Sequence, residues 1–138
     1  MAGFEVIDIS GDAGIKAYGQ TLEEAFINSA LGMYSLITDL QGIGEKRTLT
    51  VEVESHSREG LLVAWLNELI FHFDTYGFIG KSIRMEPLKN NRIEAVLSGE
   101  DFDPERHESG LLVKAATYHA VRVEETGGGW ELDVIFDI

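Results

Sequence analysis

The 138-residue sequence lacks cysteine altogether and has only two prolines. Without cysteine the chain has no disulfide scaffold, no Cys-ligated zinc site, no iron–sulfur cluster and no thiol nucleophile. It also lacks a long apolar run, since the stretch around Leu61 to Phe73 is interrupted by Asn67 and Glu68. The first residues have neither the basic start nor the apolar core of a signal peptide. We therefore expect a cytoplasmic protein with no membrane partner.

Basic residues are scarce as well. The sequence has 11 Lys plus Arg against 24 Asp plus Glu, which gives a formal net charge of −13. Such a charge repels phosphate backbones, so we expect no direct nucleic-acid binding, and it favours cations or a basic partner protein. With 44% hydrophobic residues the chain has the composition of a packed protein, and its length predicts a single domain over residues 1–138.

Sequence motifs of catalysis are also missing. The chain contains no phosphate-binding GxxxxGK[ST] loop, no Gly-x-Ser-x-Gly motif and no His-Glu-x-x-His pair. The four histidines do not have the spacing of metal ligands. Only His119 stands apart, because strand alternation would turn it inward, where it is either functional or a core histidine bonded to the backbone.

Two helices are predicted by apolar periodicity. Thr21 and Glu24 form a capping box, and apolar residues recur behind it at helical spacing to about Asp39. A second helix carries apolar residues on one face from Leu62 to Phe73, and Gly77 is placed to end it.

The remaining patterns predict strands. Short strands over residues 4–8 and 14–18 flank a turn at Gly11–Gly14, and a half-buried strand spans residues 49–53. Two further strands, over residues 83–87 and 92–98, meet at the Asn90–Asn91 turn. After a polar loop over residues 99–109, a long strand over residues 113–123 and a terminal strand form a C-terminal β-hairpin around Gly127–Gly129. The fold class is therefore α+β, with two helices packed on mostly antiparallel β-sheet.

Carboxylates offer one candidate metal site. Asp12 is flanked by glycines, which allow close approach, although the spacing alone favours an ordinary turn aspartate with an Asx hydrogen bond. The chain ends in strand pattern at Asp137 and Ile138, which places an α-carboxylate beside a side-chain carboxylate. If Asp12 folded beside them, the three oxygen groups would suit a hard divalent cation.

Several segments together resemble the archease family over essentially the whole chain. The most specific are Lys114-Ala115-Ala116-Thr117-Tyr118-His119 and the terminal Val134-Ile135-Phe136-Asp137-Ile138, and the others include residues 12–19, 21–26, 31–33, 61–63, 65–69 and 99–100. The family's usual His-Thr-Ala-Asp is Ile9-Ser10-Gly11-Asp12 here, so the histidine is absent and the aspartate is retained.

The resemblance implies a function and a set of site residues. It implies an accessory protein, not an enzyme, that activates the RNA ligase of tRNA splicing by promoting guanylylation of that ligase and its multiple turnover. It also implies a divalent metal, Ca²⁺, held by Asp12, Asp137 and the Ile138 carboxylate. Four further positions match family positions on a possible functional surface: Asp39, His107, Lys114 and His119.

Two other functions are compatible with the same residues. One is a chaperone-like modulator of tRNA-modifying enzymes such as tRNA methyltransferases, a role also suggested for the family. The other is a stand-alone metal-dependent hydrolase, against which stands the lack of a base or nucleophile at recognisable spacing. Suppression of client aggregation, or phosphoesterase turnover without a ligase, would distinguish them.

Overall fold

The structure, a computed structural model, describes residues 3–138 and contains two helices, eight strands and a short 3₁₀ turn at Leu40–Gly42. The helices are α1 (Leu22–Ile37) and α2 (Arg58–Tyr76). The strands are β1 (Phe4–Ile9), β2 (Asp12–Gly19), β3 (Arg47–Glu54), β4 (Phe78–Met85), β5 (Arg92–Asp101), β6 (Ala115–Ala116), β7 (Arg122–Thr126) and β8 (Gly129–Asp137). The α+β class predicted from the sequence is confirmed.

The strands form two antiparallel sheets. The large sheet has the order β1-β2-β8, and both β6 and β7 pair with the free edge of β8. The small sheet has the order β3-β5-β4. Both helices contact strands of both sheets, so the apolar core lies where helices and sheets meet.

Local signals define the helix ends. The Thr21 hydroxyl accepts a hydrogen bond from the Glu24 N–H at 3.1 Å, as a helix N-cap does. Gly77 adopts a left-handed conformation with φ 77° and closes α2 through bonds from its N–H to the carbonyls of His72 and Phe73. Both helix predictions are confirmed.

The core contains large side chains with no exposed surface, among them Phe26, Tyr34 and Trp65. The Trp65 indole N–H donates to the Phe26 carbonyl at 3.0 Å, which fixes α2 against α1 while satisfying a buried donor. Gly32 allows α1 to approach β2 closely, because a Cβ there would lie only 2.8 Å from Cγ2 of Ile15.

The strand predicted over residues 113–123 is wrong. Of this segment only Ala115–Ala116 and Arg122–Thr126 form strands on β8, the Thr117 N–H still donates to the Ile135 carbonyl at 3.0 Å, and residues 118–121 leave the sheet. Ala116 lies opposite Phe136, so an unbroken strand would bring His119 opposite Asp133. Arg122 takes that place instead, and three additional residues therefore loop out of the edge.

Two other boundaries differ from the prediction. The polar loop predicted from Gly99 begins later, because Gly99, Glu100 and Asp101 continue β5 and pair with β4. The strand before Asn90–Asn91 begins at Phe78, directly after the helix cap. Asn90 and Asn91 both have positive φ, near 55° and 52°, which confirms the predicted turn.

Within residues 3–138, no helix combines the length and apolar character needed to cross a membrane.

Candidate metal centre

Asp12 lies at the start of β2, immediately after a tight hairpin turn. Ile9 pairs with Asp12, so the turn consists of Ser10 and Gly11, and Gly11 has φ 80°. The turn predicted over Gly11–Gly14 is therefore displaced towards the N-terminus. As a result the Asp12 side chain has the fixed direction of a strand residue, on the face opposite to buried Ala13.

The register of the large sheet brings Asp12 and Asp137 together. Ala13 lies opposite Phe136 in the antiparallel pairing of β2 with β8. Continuing this register by one residue places Asp12 opposite Asp137, where neighbouring strands are about 5 Å apart, and strand alternation turns both side chains away from the core. Among residues 3–138, neither carboxylate forms an ion pair. Two like charges in this position repel each other unless a cation lies between them.

Ile138 and Lys114 lie at the same end of the sheet. Ile138 directly follows Asp137, and its half-buried side chain packs against the core. The Lys114 N–H donates to the Asp137 carbonyl at 2.8 Å, while the Lys114 side chain is exposed. Of the four residues predicted to form a functional surface, Lys114 is the one whose main chain is hydrogen-bonded to Asp137.

Asn67 fixes this short strand from the other side. Its side-chain Oδ1 accepts from the Ala116 N–H at 2.8 Å, and its Nδ2 donates to the Ala116 carbonyl at 3.1 Å. The amide thus replaces a neighbouring strand and ties β6 to α2. Sequence reasoning gave Asn67 no role, because nothing local shows which backbone a helix side chain will meet.

The donor set fits a hard divalent cation. Asp12 and Asp137 would supply side-chain carboxylate oxygens, and the main chain of Ile138 would supply further oxygen, which is the ligand chemistry that Ca²⁺ prefers. The part of the chain that the structure describes contains no group of three His, Asp or Glu side chains placed to hold a metal ion. A cation here would therefore depend on main-chain oxygen for its third ligand.

Among the described residues, neither His119 nor Asp39 forms a hydrogen bond or an ion pair with Asp12 or Asp137. His119 is exposed in the loop between β6 and β7, where its N–H donates to the Thr117 hydroxyl at 3.3 Å, so the predicted inward orientation is wrong. Asp39 is exposed and caps the 3₁₀ turn by accepting from the Gln41 N–H at 3.0 Å.

His107 belongs to a buried ionic cluster around Glu100. The His107 side chain is 1% exposed, its Nδ1 accepts from the Asp103 N–H at 2.8 Å, and its Nε2 lies 3.5 Å from Glu100. Glu100 also accepts from the Gly44 N–H and from the Arg106 guanidinium, each at 2.5 Å. The Gly44 bond, followed by the Arg106 bond, lowers the pKa of Glu100 to about 2.

This cluster gives His107 and Glu100 a structural role. Together they join the loop after β5 to the segment before β3, and Lys46 adds a second cation 3.5 Å from Glu100. Acidic residues surround Glu100 in the chain, and a stretch of this kind is usually a solvated surface. No local pattern shows that a carboxylate in such a stretch is buried.

The chain matches the model of the Archease protein family over residues 4–138. Protein archease of Methanosarcina mazei is 34% identical over 139 residues, which cover 98% of this chain and 95% of that protein. A solution structure of Protein 1598 from Methanobacterium thermoautotrophicum superposes with a TM-score of 0.85 at 35% identity, over the full length of both chains.

A more distant structure shares the fold. The crystal structure of an archease from Thermotoga maritima, described there as a possible chaperone, gives a TM-score of 0.68 at 18% identity, over 97% of this chain and 96% of that one. The family match and the 34–35% identity to full-length relatives agree with the motifs found in the sequence. The chain belongs to the archease family.

Proposed function

We propose that this chain is a metal-binding accessory protein that activates an RNA ligase of tRNA splicing. The observation that carries the proposal is the pairing of Ala13 with Phe136 in the β2–β8 register, which brings Asp12, Asp137 and Ile138 to the same end of the large sheet. Family membership supports an accessory role, and the paired carboxylates supply a reason for a cation.

Each residue of this end of the sheet has a defined task in the proposal. Asp12 and Asp137 each present a carboxylate on the solvent side, and Ile138 adds its main-chain carboxyl group. A Ca²⁺ ion held by these groups would supply positive charge that offsets their repulsion. Lys114 holds the Asp137 carbonyl, so the direction of the last strand residue is fixed.

The charge of the chain fits a ligase that itself holds the RNA. A net charge of −13 prevents this protein from competing for phosphates as a nucleic acid binder, and it favours encounter with a basic protein surface. In this proposal the accessory protein acts on the ligase to promote its guanylylation and turnover, without contacting the RNA.

The test is a single-turnover guanylylation assay of a candidate ligase with and without this protein. We expect stimulation by the wild-type chain, and loss of it on addition of a chelator or with Asp12→Asn or Asp137→Asn. Asp8→Asn is the matched control, because Asp8 is an exposed carboxylate on the same hairpin but pairs with Ala13, on the other face. Full stimulation by the Asp137→Asn variant would contradict the proposal.

A chaperone-like role towards tRNA-modifying enzymes is the second candidate, and exposed apolar side chains such as Leu112 and Tyr118 favour it. It predicts suppressed aggregation of a tRNA methyltransferase without any effect on ligation. Phosphoesterase turnover by the purified chain in the absence of a ligase would instead favour a metal-dependent hydrolase.

A further inference from the structure

An open cleft lies at the end of the large sheet opposite to Asp12 and Asp137. Strand β2 runs from Asp12 to Gly19, which separates the two ends of the sheet by roughly 23 Å. The cleft has a volume of about 640 Å³ and is lined by residues 3–5, by the end of β2 and by the glycine turn that joins β7 to β8. The proposed function leaves this cleft unused.

Three aromatic residues line the cleft: Phe4, Tyr18 and Trp130. Each of them is half-buried, so each keeps part of its ring accessible to solvent. The Arg58 guanidinium lies 5.0 Å from the centroid of the Trp130 ring, and this contact helps to fix the indole. Aromatic rings attract cations through their electron-rich faces and pack well against methylene groups.

The charged residues of the cleft are all acidic. Glu5, Glu24 and Glu131 line it, and none of the described residues in its lining is basic. Within residues 3–138, neither Glu5 nor Glu24 forms an ion pair. Glu131 accepts from Arg122 at 2.8 Å, but that guanidinium is also bonded to two further carboxylates. The cleft therefore keeps an excess of negative charge.

The phenol of Tyr18 responds to this environment. Burial raises its pKa, and the neighbouring carboxylate of Glu5 raises the pKa further. The cleft thus combines partial exclusion of water with a negative potential. A cation is held more strongly under these conditions than at an open surface, because the attraction is less screened.

The spacing of the carboxylates selects between kinds of cation. Glu5 lies opposite Lys16 and Glu131 lies opposite Tyr18, so the Cα atoms of the two glutamates are two strands and two residues apart, roughly 12 Å. In the part of the chain that the structure describes, no three acidic or histidine side chains are placed to hold one metal ion. An extended chain of methylenes that carries several ammonium groups can instead reach separate carboxylates at the same time.

We propose that this cleft binds a linear aliphatic polyamine, with its ammonium groups beside Glu5, Glu24 and Glu131 and its methylene segments against the aromatic rings. The site is separate from the carboxylate pair of Asp12 and Asp137, and it requires no ligase. Phosphate-bearing ligands and a second copy of this acidic chain are repelled by the same charges.

The test titrates spermidine into the intact chain at about 0.15 M ionic strength, where general attraction is largely screened. The chain has two tryptophans, and Trp65 has no exposed surface, so Trp130 reports on the cleft. We expect saturable binding that protects Trp130 from quenching by acrylamide. Butylamine, which has a single ammonium group, should bind about tenfold more weakly, since the additional charges of spermidine act together.

Two double variants separate the cleft from general charge attraction. Glu5→Gln with Glu24→Gln should weaken the affinity for spermidine roughly five- to tenfold, because two charge contacts are lost. Glu105→Gln with Glu108→Gln is the matched control, since it removes the same charge from exposed residues outside the cleft and should leave the affinity unchanged. All four positions are exposed, so both double variants should fold as the wild type does.

The aromatic lining is tested at Tyr18. Tyr18→Leu keeps an apolar side chain but removes the ring, and it should weaken binding about threefold. Tyr18→Phe keeps the ring and should bind spermidine as the wild type does. A reversed order of affinities, with Tyr18→Leu binding more tightly than Tyr18→Phe, would overturn the contact between methylenes and ring.

Three outcomes would overturn the proposal as a whole. The first is an equal loss of affinity in the two double variants, which would show attraction to the net charge alone. The second is loss of spermidine binding in Asp137→Asn with binding retained in the Glu5 and Glu24 double variant, which would locate the polyamine at the carboxylate pair. The third is the absence of saturable binding by the wild-type chain.

Discussion

The Asn67 side chain holds both main-chain polar groups of Ala116, at 2.8 Å to the N–H and 3.1 Å to the carbonyl. Ala116 is a residue of the two-residue strand β6, which lies at the edge of β8 beside Asp137. Such a short strand makes few bonds of its own, so a side chain from α2 determines its position. Asn67 therefore positions the Lys114 segment without belonging to the carboxylate pair.

Replacing Asn67 should destabilise the chain. In Asn67→Leu the N–H and carbonyl of Ala116 both lose their partner, and we expect a loss of about 1–3 kcal/mol in the free energy of unfolding. Asn67→Asp should be intermediate, since aspartate accepts from the N–H but cannot donate to the carbonyl. Urea denaturation measures both. Thr75→Leu, an exposed change on the same helix, is the control, and equal stability of Asn67→Leu and the wild type would contradict this role.

Calcium should stabilise the wild-type chain. A ligand that binds only the folded state at a hundred times its Kd adds about 2.7 kcal/mol, which calorimetry detects as a higher Tm. Asp137→Asn should abolish the increase, and in a chelator it should be as stable as the wild type or more so, because like charges across the strands are removed. A Tm of the wild type that does not change with calcium would argue against the site.

The main-chain carboxyl of Ile138 can be tested without changing any side chain. A Gly-Ser extension after Ile138 converts that carboxylate into an amide, and we expect the calcium-dependent increase in Tm to fall by at least half. The same dipeptide added at the other terminus is the control. An unchanged calcium response of the extended chain would remove Ile138 from the ligand set.

The buried Glu100 predicts a specific pH dependence of stability. Its pKa is lowered from 4.5 to about 2 in the folded state, so its contribution is complete above pH 4.5 and is lost as pH falls towards 2. Glu100→Gln should therefore be less stable than the wild type at pH 7, and the difference should shrink below pH 4.5. Glu105→Gln, an exposed change in the following loop, should show no such dependence in the same denaturation series.

The helix ends and the Asn90–Asn91 turn were predictable because their signals are local. The Thr21 hydroxyl reaches an N–H three residues away, and Gly77 and Asn90 supply backbone conformations that few other residues adopt. The break between β6 and β7 was not predictable in this way. Alternation continues through residues 117–121, and only pairing with β8 shows that Arg122, not His119, lies opposite Asp133.

The sequence by itself determined the two helices, the α+β class and the family, since each depends on residue types at short or fixed spacing. It also identified Asp12, Asp137 and Ile138 as candidates, partly through that family resemblance. Only the tertiary structure brought Asp12 and Asp137 to the same end of the large sheet, buried Glu100 and exposed His119. The physical reason is that register and burial are set by contacts between residues far apart in the chain, such as Ala13 with Phe136 and Gly44 with Glu100.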